Sequence, residues 1–412
     1  MINRPLYMAK INNFINQDII KIITGIRRSG KSCFLKLIKN ELIKNGVNEE
    51  NILLIDLDLP QYRNIKTARQ LDEVVLDFID KHKNQIYLFF DEIQNVDEWE
   101  LSINSYYKLD NTEIFITGSN SKLMSKELAT YLTGRYVSIQ IYPFSFNEFI
   151  EYKKELGDTP HLINKLNTEI ENYFEEYISY GGLPVAISSK GDKEIILNDL
   201  YSSIILHDII ERHNLRNVRL FNRIVKFLIE NIGNLISANS IYKYLKHDKM
   251  NITKNTIYNY LDYLEEAYIL SRITREDLIG KKEIYGPEKY YLMDIGFYKS
   301  QLEEKQQNIG RILENIVYLE LLRQGYKITI GKFNDLEIDF ICRKENKKIY
   351  IQVTNYLSDE YITQREFNPL LKVKDNYPKY VLSMDKINTS KEGIENINII
   401  EFLINPEIIC KY

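Results

Sequence analysis

The chain has 412 residues, 44% of them hydrophobic and 27% charged, with 54 Lys and Arg against 58 Asp and Glu for a net charge of −4. That balance belongs to an ordinary globular protein and excludes disordered and fibrous classes. At roughly 100–200 residues per domain, the length calls for two or three domains with their own cores.

The longest apolar runs, such as Ile86–Phe90, fall far short of the roughly 18–20 residues a membrane helix needs. Met1–Gln17 carries no apolar block of the signal-peptide kind, so a cytoplasmic protein without a membrane partner is expected. Cys33, Cys342 and Cys410 lie far apart and form no C-x-x-C pair, and the five histidines form no H-E-x-x-H. Neither a disulfide framework nor a zinc site is therefore expected.

Between Ile19 and Tyr142 short apolar runs alternate with helical periodicity. Strands are expected at Lys21–Thr24, Ile52–Leu57, Ile86–Phe90, Glu113–Thr117 and Tyr136–Ile141, with helices at Lys31–Lys44, Thr67–Lys81 and Trp99–Leu109 between them. Unbroken apolar strands separated by helices predict a parallel sheet covered on both faces, an α/β domain over residues 1–150.

A helical segment follows over 151–212, broken at Gly181-Gly182-Leu183-Pro184 and resumed over Asn198–Arg212. Residues 213–300 read as three helices, Leu220–Asn231, Ser240–Lys246 and Thr256–Leu270. Two strands follow near Ile269–Thr274 and Tyr290–Met293, which is the order of a winged helix. In 301–412, a helix over Ile309–Gln324 opens a small α/β segment with strands at Tyr326–Ile330, Glu337–Ile341 and Ile349–Val353.

Gly25-Ile26-Arg27-Arg28-Ser29-Gly30-Lys31-Ser32 satisfies G-x-x-x-x-G-K-[ST], the Walker A pattern of a P-loop NTPase, between a strand and a helix. Its glycines let backbone N–H groups curl toward one phosphate at the positive end of the helix. The candidate nucleotide-binding residues are Gly25, Arg28, Ser29, Gly30, Lys31, Ser32 and Cys33, with Lys31 reaching the β and γ phosphates and Ser32 binding Mg²⁺. A hydrolytic site also needs a carboxylate for the hydrated metal and one that orients water. Asp91 and Glu92, at the tip of the Ile86–Phe90 strand (Walker B), supply them. Thr117-Gly118-Ser119-Asn120-Ser121 ends another strand, and Ser119 or Asn120 is a candidate γ-phosphate sensor, against the alternative of a plain turn. Arg135 is a candidate to stabilise charge on the γ phosphate, within the chain or across a subunit boundary, against the alternative of a solvated surface arginine.

With these motifs, and with Phe90-Asp91-Glu92-Ile93-Gln94, Leu132-Thr133-Gly134-Arg135, Pro143-Phe144-Ser145-Phe146, Gly181-Gly182-Leu183-Pro184, Leu292-Met293-Asp294-Ile295-Gly296 and Glu337-Ile338-Asp339-Phe340, the chain resembles bacterial and archaeal AAA-type (AAA_14) ATPases carrying a C-terminal DUF4143 region. The resemblance covers essentially the whole chain. It implies ATP as the nucleotide, a winged helix, and a terminal domain similar to the PD-(D/E)xK nuclease fold. That nuclease pattern needs a helical acid, a strand Asp and an acid-x-Lys. Glu314 and Asp339 fit, but Gln352 and Thr354 stand where the acid and the lysine should be, which predicts a degenerate, inactive nuclease site.

From Arg212 to Lys282 there are 13 basic against 7 acidic residues, a net +6 that leaves −10 for the rest of the chain. This excess coincides with the winged-helix pattern, and Thr253, Lys254, Asn255, Tyr258 and Asn259 are the candidates to face a DNA groove. The leading expectation is an Mg-ATP-driven switch or motor on or near duplex DNA. The competing readings are a regulatory ATPase whose C-terminal domains bind a protein partner, and an ATP-coupled nuclease. A homo-oligomer is implied if Arg135 acts across subunits.

Overall fold

The computed structural model describes residues 2–82, 84–120, 132, 134–157, 168–247, 252–280, 282–303 and 306–410. The chain divides into two compact units: Met1–Pro143 together with Glu266–Tyr268, and Phe144–Glu265 together with Ile269–Tyr412.

In the first unit, strands β1 (Ile20–Thr24), β2 (Ile52–Asp56), β3 (Ile86–Asp91), β4 (Thr112–Gly118) and β5 (Tyr136–Gln140) form a sheet in the order β2-β3-β4-β1-β5, every neighbouring pair parallel. Helices α1 (Pro5–Asn12), α2 (Lys31–Lys44), α3 (Ala68–Lys81) and α4 (Trp99–Tyr107) accompany it. β3, an apolar run up to Asp91, is buried at every position, as a sheet covered on both faces requires, and so is β1, whose one charged residue, Lys21, pairs with Glu113 of β4 at 2.6 Å. Thr67 caps α3 through a capping box with Gln70, which sets the start of that helix one residue after the expected boundary. Ile22, Phe90, Ile103, Trp99 and Ile116 share the core.

The second unit begins with α5 (Phe146–Glu155) and α6 (Glu169–Tyr180), both opened by capping boxes, Ser145 with Glu148 and Thr168 with Glu171. The expected continuous helical stretch Phe149–Tyr180 is thus two helices; residues 158–167 lie outside the described part. After the short α7 (Pro184–Ile187), α8 (Lys193–Ser203) runs on as a π-helix over Ile204–Glu211. α9 (Val218–Glu230), α10 (Ala238–His247) and α11 (Lys254–Glu266) follow, and the last stops short of the expected Leu270, with Tyr268 at φ +54°.

The hairpin β6 (Leu270–Asp277) and β7 (Lys282–Leu292) is not a free wing. It forms one end of a seven-stranded sheet ordered β12-β11-β10-β9-β8-β6-β7, because β8 (Lys327–Phe333) pairs in parallel with β6 over Arg275–Asp277. This pairing satisfies backbone groups that a solitary hairpin would leave open. The stretches expected as 213–300 and 301–412 therefore share a sheet, completed by β9 (Leu336–Lys344), β10 (Lys347–Val353), β11 (Lys379–Ser383) and β12 (Glu395–Asn398). Helices α12 (Gly296–Gln301), α13 (Ile309–Arg323), α14 (Glu360–Lys372) and α15 (Ile399–Ile404) complete the unit.

Three motifs to which the sequence assigned no chemistry converge here. Gly182 donates its N–H to Asp294 at 2.8 Å, Gly296 does the same at 2.9 Å, and Phe144 N–H donates to the Gly182 carbonyl at 2.8 Å. A Cβ on Gly182 would stand 2.2 Å from the Phe144 carbonyl oxygen, so that position admits no side chain.

Candidate functional site

The loop between β1 and α2 is shaped by backbone that side chains disfavour. Gly25 has φ +143° and would place a Cβ 2.2 Å from the Ile141 carbonyl oxygen, Gly30 has φ +99° at the N-terminus of α2, and Arg28 has φ +65°. No side chain caps α2, which leaves its first N–H groups to a ligand. Ser29 is fully buried and its hydroxyl has no hydrogen-bond partner among the described residues. Arg28 and Cys33 are exposed. From the N-terminal segment, buried Arg4 donates to the Ser29 carbonyl at 3.2 Å and to the Tyr142 carbonyl at 3.0 Å, bracing the loop from outside. No motif in Met1–Gln17 announces this contact.

Lys31 is buried with its ammonium 3.2 Å from the Ile26 carbonyl and 3.6 Å from Glu92 Oε1. Asp91 ends β3 and receives hydrogen bonds from Thr117 on the neighbouring strand β4 and from Ser32. Burial raises the Asp91 carboxyl above the usual range despite these two donors. Glu92 sits at φ +53°, and its N–H donates to Thr117 Oγ1 at 3.0 Å. Burial alone would raise the Glu92 carboxyl, but Lys31, the Gln94 amide, Arg27 and the Ser119 hydroxyl outweigh it and hold the group below its ordinary value. Thr117 thus links both carboxylate residues through one hydroxyl, next to Ser119 and Asn120, the candidates for a γ-phosphate sensor. Those two residues are buried at the same strand end; Ser121 lies outside the described residues.

More acid surrounds the site than the sequence pattern announced. Asp56 ends β2 in register with Asp91, and Asp58 follows, accepting from Asn95 at 3.1 Å. Burial, then Glu92 and Asp56, raise the Asp58 carboxyl, with Arg27 opposing. A loop with an orphaned buried hydroxyl, an uncapped helix start and a buried lysine fits a polyphosphate. Ser32 and Asp91 offer the hard oxygen donors Mg²⁺ takes alongside phosphate and water.

Arg135 is elsewhere. Its carbonyl accepts from Ile20 N at 2.8 Å, at the entry of β1, whereas the phosphate loop leaves the exit of the same strand, roughly 15 Å away by strand rise. Its guanidinium donates to Asn104 at 2.7 Å and lies over the Tyr107 ring. Of the alternatives for Arg135, this placement removes the one within its own chain, because the side chain cannot reach from one end of β1 to the other; Thr133 lies outside the described residues.

In the second unit, Glu314 on α13, Asp339 on β9, and Gln352 and Thr354 at the end of β10 do line one cavity of about 850 Å³. A lysine from another strand stands among these acids. Lys289 of β7 lies 2.8 Å from Glu314, 2.8 Å from Glu337 and 3.3 Å from Asp339. Burial would lower its ammonium, but Glu314, Tyr291, Asp339 and Glu337 hold it well above the usual value. Burial pushes the Glu314 carboxyl up to about 7 against the pull of Lys289. Glu366 of α14 is also buried, and burial followed by Asp339 raises it. Among the described residues, no group of three or more His, Cys, Asp or Glu is arranged to hold a metal ion. Thr253, Lys254, Asn255, Tyr258 and Asn259 are exposed at the start of α11, where Thr253 Oγ1 caps the Thr256 N–H at 3.2 Å.

Residues 17–150 match the family model of an AAA domain (AAA_14), and residues 171–308 match a domain of unknown function, DUF8612, in place of the DUF4143 region that the resemblance implied. The chain is 36% identical over 406 residues to an uncharacterized protein of Haemophilus influenzae, covering 98% of this chain and 99% of that one. It is 34% identical over 420 residues to the uncharacterized protein MJ1544 of Methanocaldococcus jannaschii, covering 96% and 89%. Among solved structures, the Walker-type ATPase PABY2304 of Pyrococcus abyssi shares the fold with a TM-score of 0.50 at 18% identity, over 73% of this chain and 96% of that one. No helix among the described residues is long and apolar enough to cross a membrane.

Proposed function

The chain belongs to the family of these two relatives and carries a P-loop ATPase domain, and from that premise we propose that it is an Mg²⁺-dependent ATP hydrolase whose nucleotide cycle drives a switch or motor on or near duplex DNA. The observation that carries this reading is the position of Lys31, buried between the Ile26 carbonyl and Glu92, with Asp91 and Ser32 hydrogen-bonded beside it. Lys31 and the loop N–H groups bind the β and γ phosphates, Ser32 and Asp91 hold the hydrated cation, and Glu92 accepts a proton from the attacking water. Ser119 sits beside Glu92 as the residue that reports the γ phosphate. Arg135 enters such a site only from a second copy of the chain. The cation supplies charge neutralisation on the phosphates when bound.

The DNA half of the reading rests on the basic excess between Arg212 and Lys282 and on the exposed start of α11, where Thr253, Lys254, Asn255 and Tyr258 face solvent. The cluster around Lys289 is a structural remnant of nuclease type, its ammonium already matched by three carboxylates.

Steady-state ATP hydrolysis by wild type and Glu92→Gln, each with and without duplex DNA across a salt series, tests both halves. Hydrolysis that depends on Glu92 and is stimulated by duplex at low salt is the expected result. Hydrolysis indifferent to DNA at every salt would transfer the reading to an ATPase whose second unit binds a protein partner.

A further inference from the structure

Gln94 follows Glu92 by two residues on a single 3-10 turn, Ile93–Asn95, and its two amide atoms are in opposite situations. The Nε2 donates to Glu92 Oε2. The Oε1 is buried and has no hydrogen-bond partner among the described residues. That contact sets the orientation of the amide: the NH₂ faces the carboxylate, which accepts, and the Oε1 is turned away from it. A buried acceptor left without a donor is costly. Such an atom persists where a ligand or water completes it, and the adjoining site is one that must hold a water.

We infer that Gln94 is a catalytic residue of the hydrolysis proposed above, gripping Glu92 with its amide N–H and receiving a hydrogen bond from the attacking water on its Oε1. The inference rests on the ATPase reading. In this structure, both Glu92 oxygens are engaged, Oε2 by Gln94 and Oε1 by Lys31 at 3.6 Å. When Lys31 turns to the phosphates, Oε1 is released while Oε2 stays gripped. A water then finds two acceptors, Glu92 Oε1 and Gln94 Oε1, and pointing both of its hydrogens at them leaves an oxygen lone pair for the γ phosphorus. As the water oxygen bonds to phosphorus, one proton passes to Glu92 Oε1. The bond between phosphorus and the β–γ bridging oxygen breaks, with its electron pair staying on that oxygen, giving ADP and inorganic phosphate. The same geometry explains why the acid must be Glu92 alone. Asp91 is engaged by Thr117 and Ser32 and has no partner that would aim a water.

The test compares wild type, Glu92→Gln, Gln94→Leu and Gln94→Glu in full-length protein, reading kcat, the Kd of a fluorescent ATP analogue and the pH profile of kcat/KM. For Gln94→Leu, kcat is expected to fall by roughly tenfold to a hundredfold with analogue Kd within about threefold. Its acid limb should move to higher pH, because the amide no longer favours the ionised form of Glu92. Gln94→Glu keeps an acceptor but adds a like charge, and its acid limb should move further in the same direction. A Gln94→Leu protein with wild-type kcat and an unmoved acid limb overturns the inference. So does a fall in kcat matched by an equal loss of analogue affinity, which marks a collapsed loop. If wild type itself hydrolyses no ATP, the ATPase reading fails independently of Gln94; if Glu92→Gln hydrolyses as fast as wild type, Glu92 is not the base and the inference falls with it.

Discussion

Two buried lysines face carboxylates in opposite ways. Lys31 has one carboxylate oxygen at 3.6 Å and one carbonyl at 3.2 Å. Lys289 has three carboxylates at 2.8, 2.8 and 3.3 Å. An ammonium offers three N–H donors, so Lys289 is saturated and has nothing left for a ligand, whereas Lys31 is held loosely and keeps donating capacity. A lysine destined for a phosphate is kept in place with fewer partners than burial would ordinarily demand; a lysine that holds strands and a helix together is given all it can take.

The largest expected effect separates the two at once. Lys289→Met leaves Glu314, Glu337 and Asp339 facing one another and should destabilise the second unit by about 3–5 kcal/mol. Amide hydrogen exchange of β9 and β10 reads this directly. The single tryptophan, Trp99, lies in the core of the first unit, and its fluorescence transition in urea should stay put. Loss of cooperativity in both probes together would erase the distinction.

Lys31→Met should do the converse. Hydrolysis falls by about a hundredfold to a thousandfold, while the urea midpoint of the Trp99 transition shifts by less than about 1 kcal/mol in stability, because Glu92 keeps Gln94, Arg27 and Ser119. A large stability loss would mean Lys31 is as structural as Lys289.

The smallest effect is the pH response. Burial pushes the carboxyls of both Asp294 and Glu314, in the second unit, up to about 7. Each then holds its proton in the folded state to higher pH than in the unfolded chain. Its contribution to stability is whole below the ordinary carboxylate range and is lost as pH rises through 7. Going from pH 8 to pH 6 should therefore protect β9 and β10 against exchange by roughly 1 kcal/mol per group, and Glu314→Gln should remove part of that slope. Glu92, held below its ordinary value, carries the opposite sign, and its contribution is lost only at acid pH. A second unit less protected at pH 6 than at pH 8 would contradict the assignment.

What the sequence disclosed follows from how local each feature is. The phosphate loop, with Gly25, Gly30, Lys31 and Ser32, occupies eight consecutive residues between a buried strand and a helix, and the five strands of the first unit stand out as short, mostly apolar runs between helical stretches, β3 the clearest. Thr117 was invisible as the partner of Asp91 and Glu92, because that contact depends on β3 and β4 being neighbours in the sheet. Lys289 was invisible for a related reason, lying 25 residues from Glu314 and 50 from Asp339. Arg135 misled in the opposite direction, since closeness in sequence to the candidate sensor Ser119 concealed a return to the far end of the sheet. The hairpin β6-β7 was legible as two strands, but the third strand beside it, β8, comes from beyond α13. β11 and β12 were missed because each is short, β11 lying between polar turns and β12 running straight into the helix Ile399–Ile404.

The position of Arg135 also sets how two copies of this chain must meet if the arginine is to be shared. The arginine sits at the entry of β1 and the phosphate loop at its exit, so the two surfaces are opposite poles of one domain. A two-fold axis brings residue i of one copy to residue j of the other and j to i, so two copies lying antiparallel can each lend an arginine to the other's loop in one closed pair. Copies that stack in one direction instead, each giving at one pole and receiving at the other, end only by closing into a ring or continue as a filament.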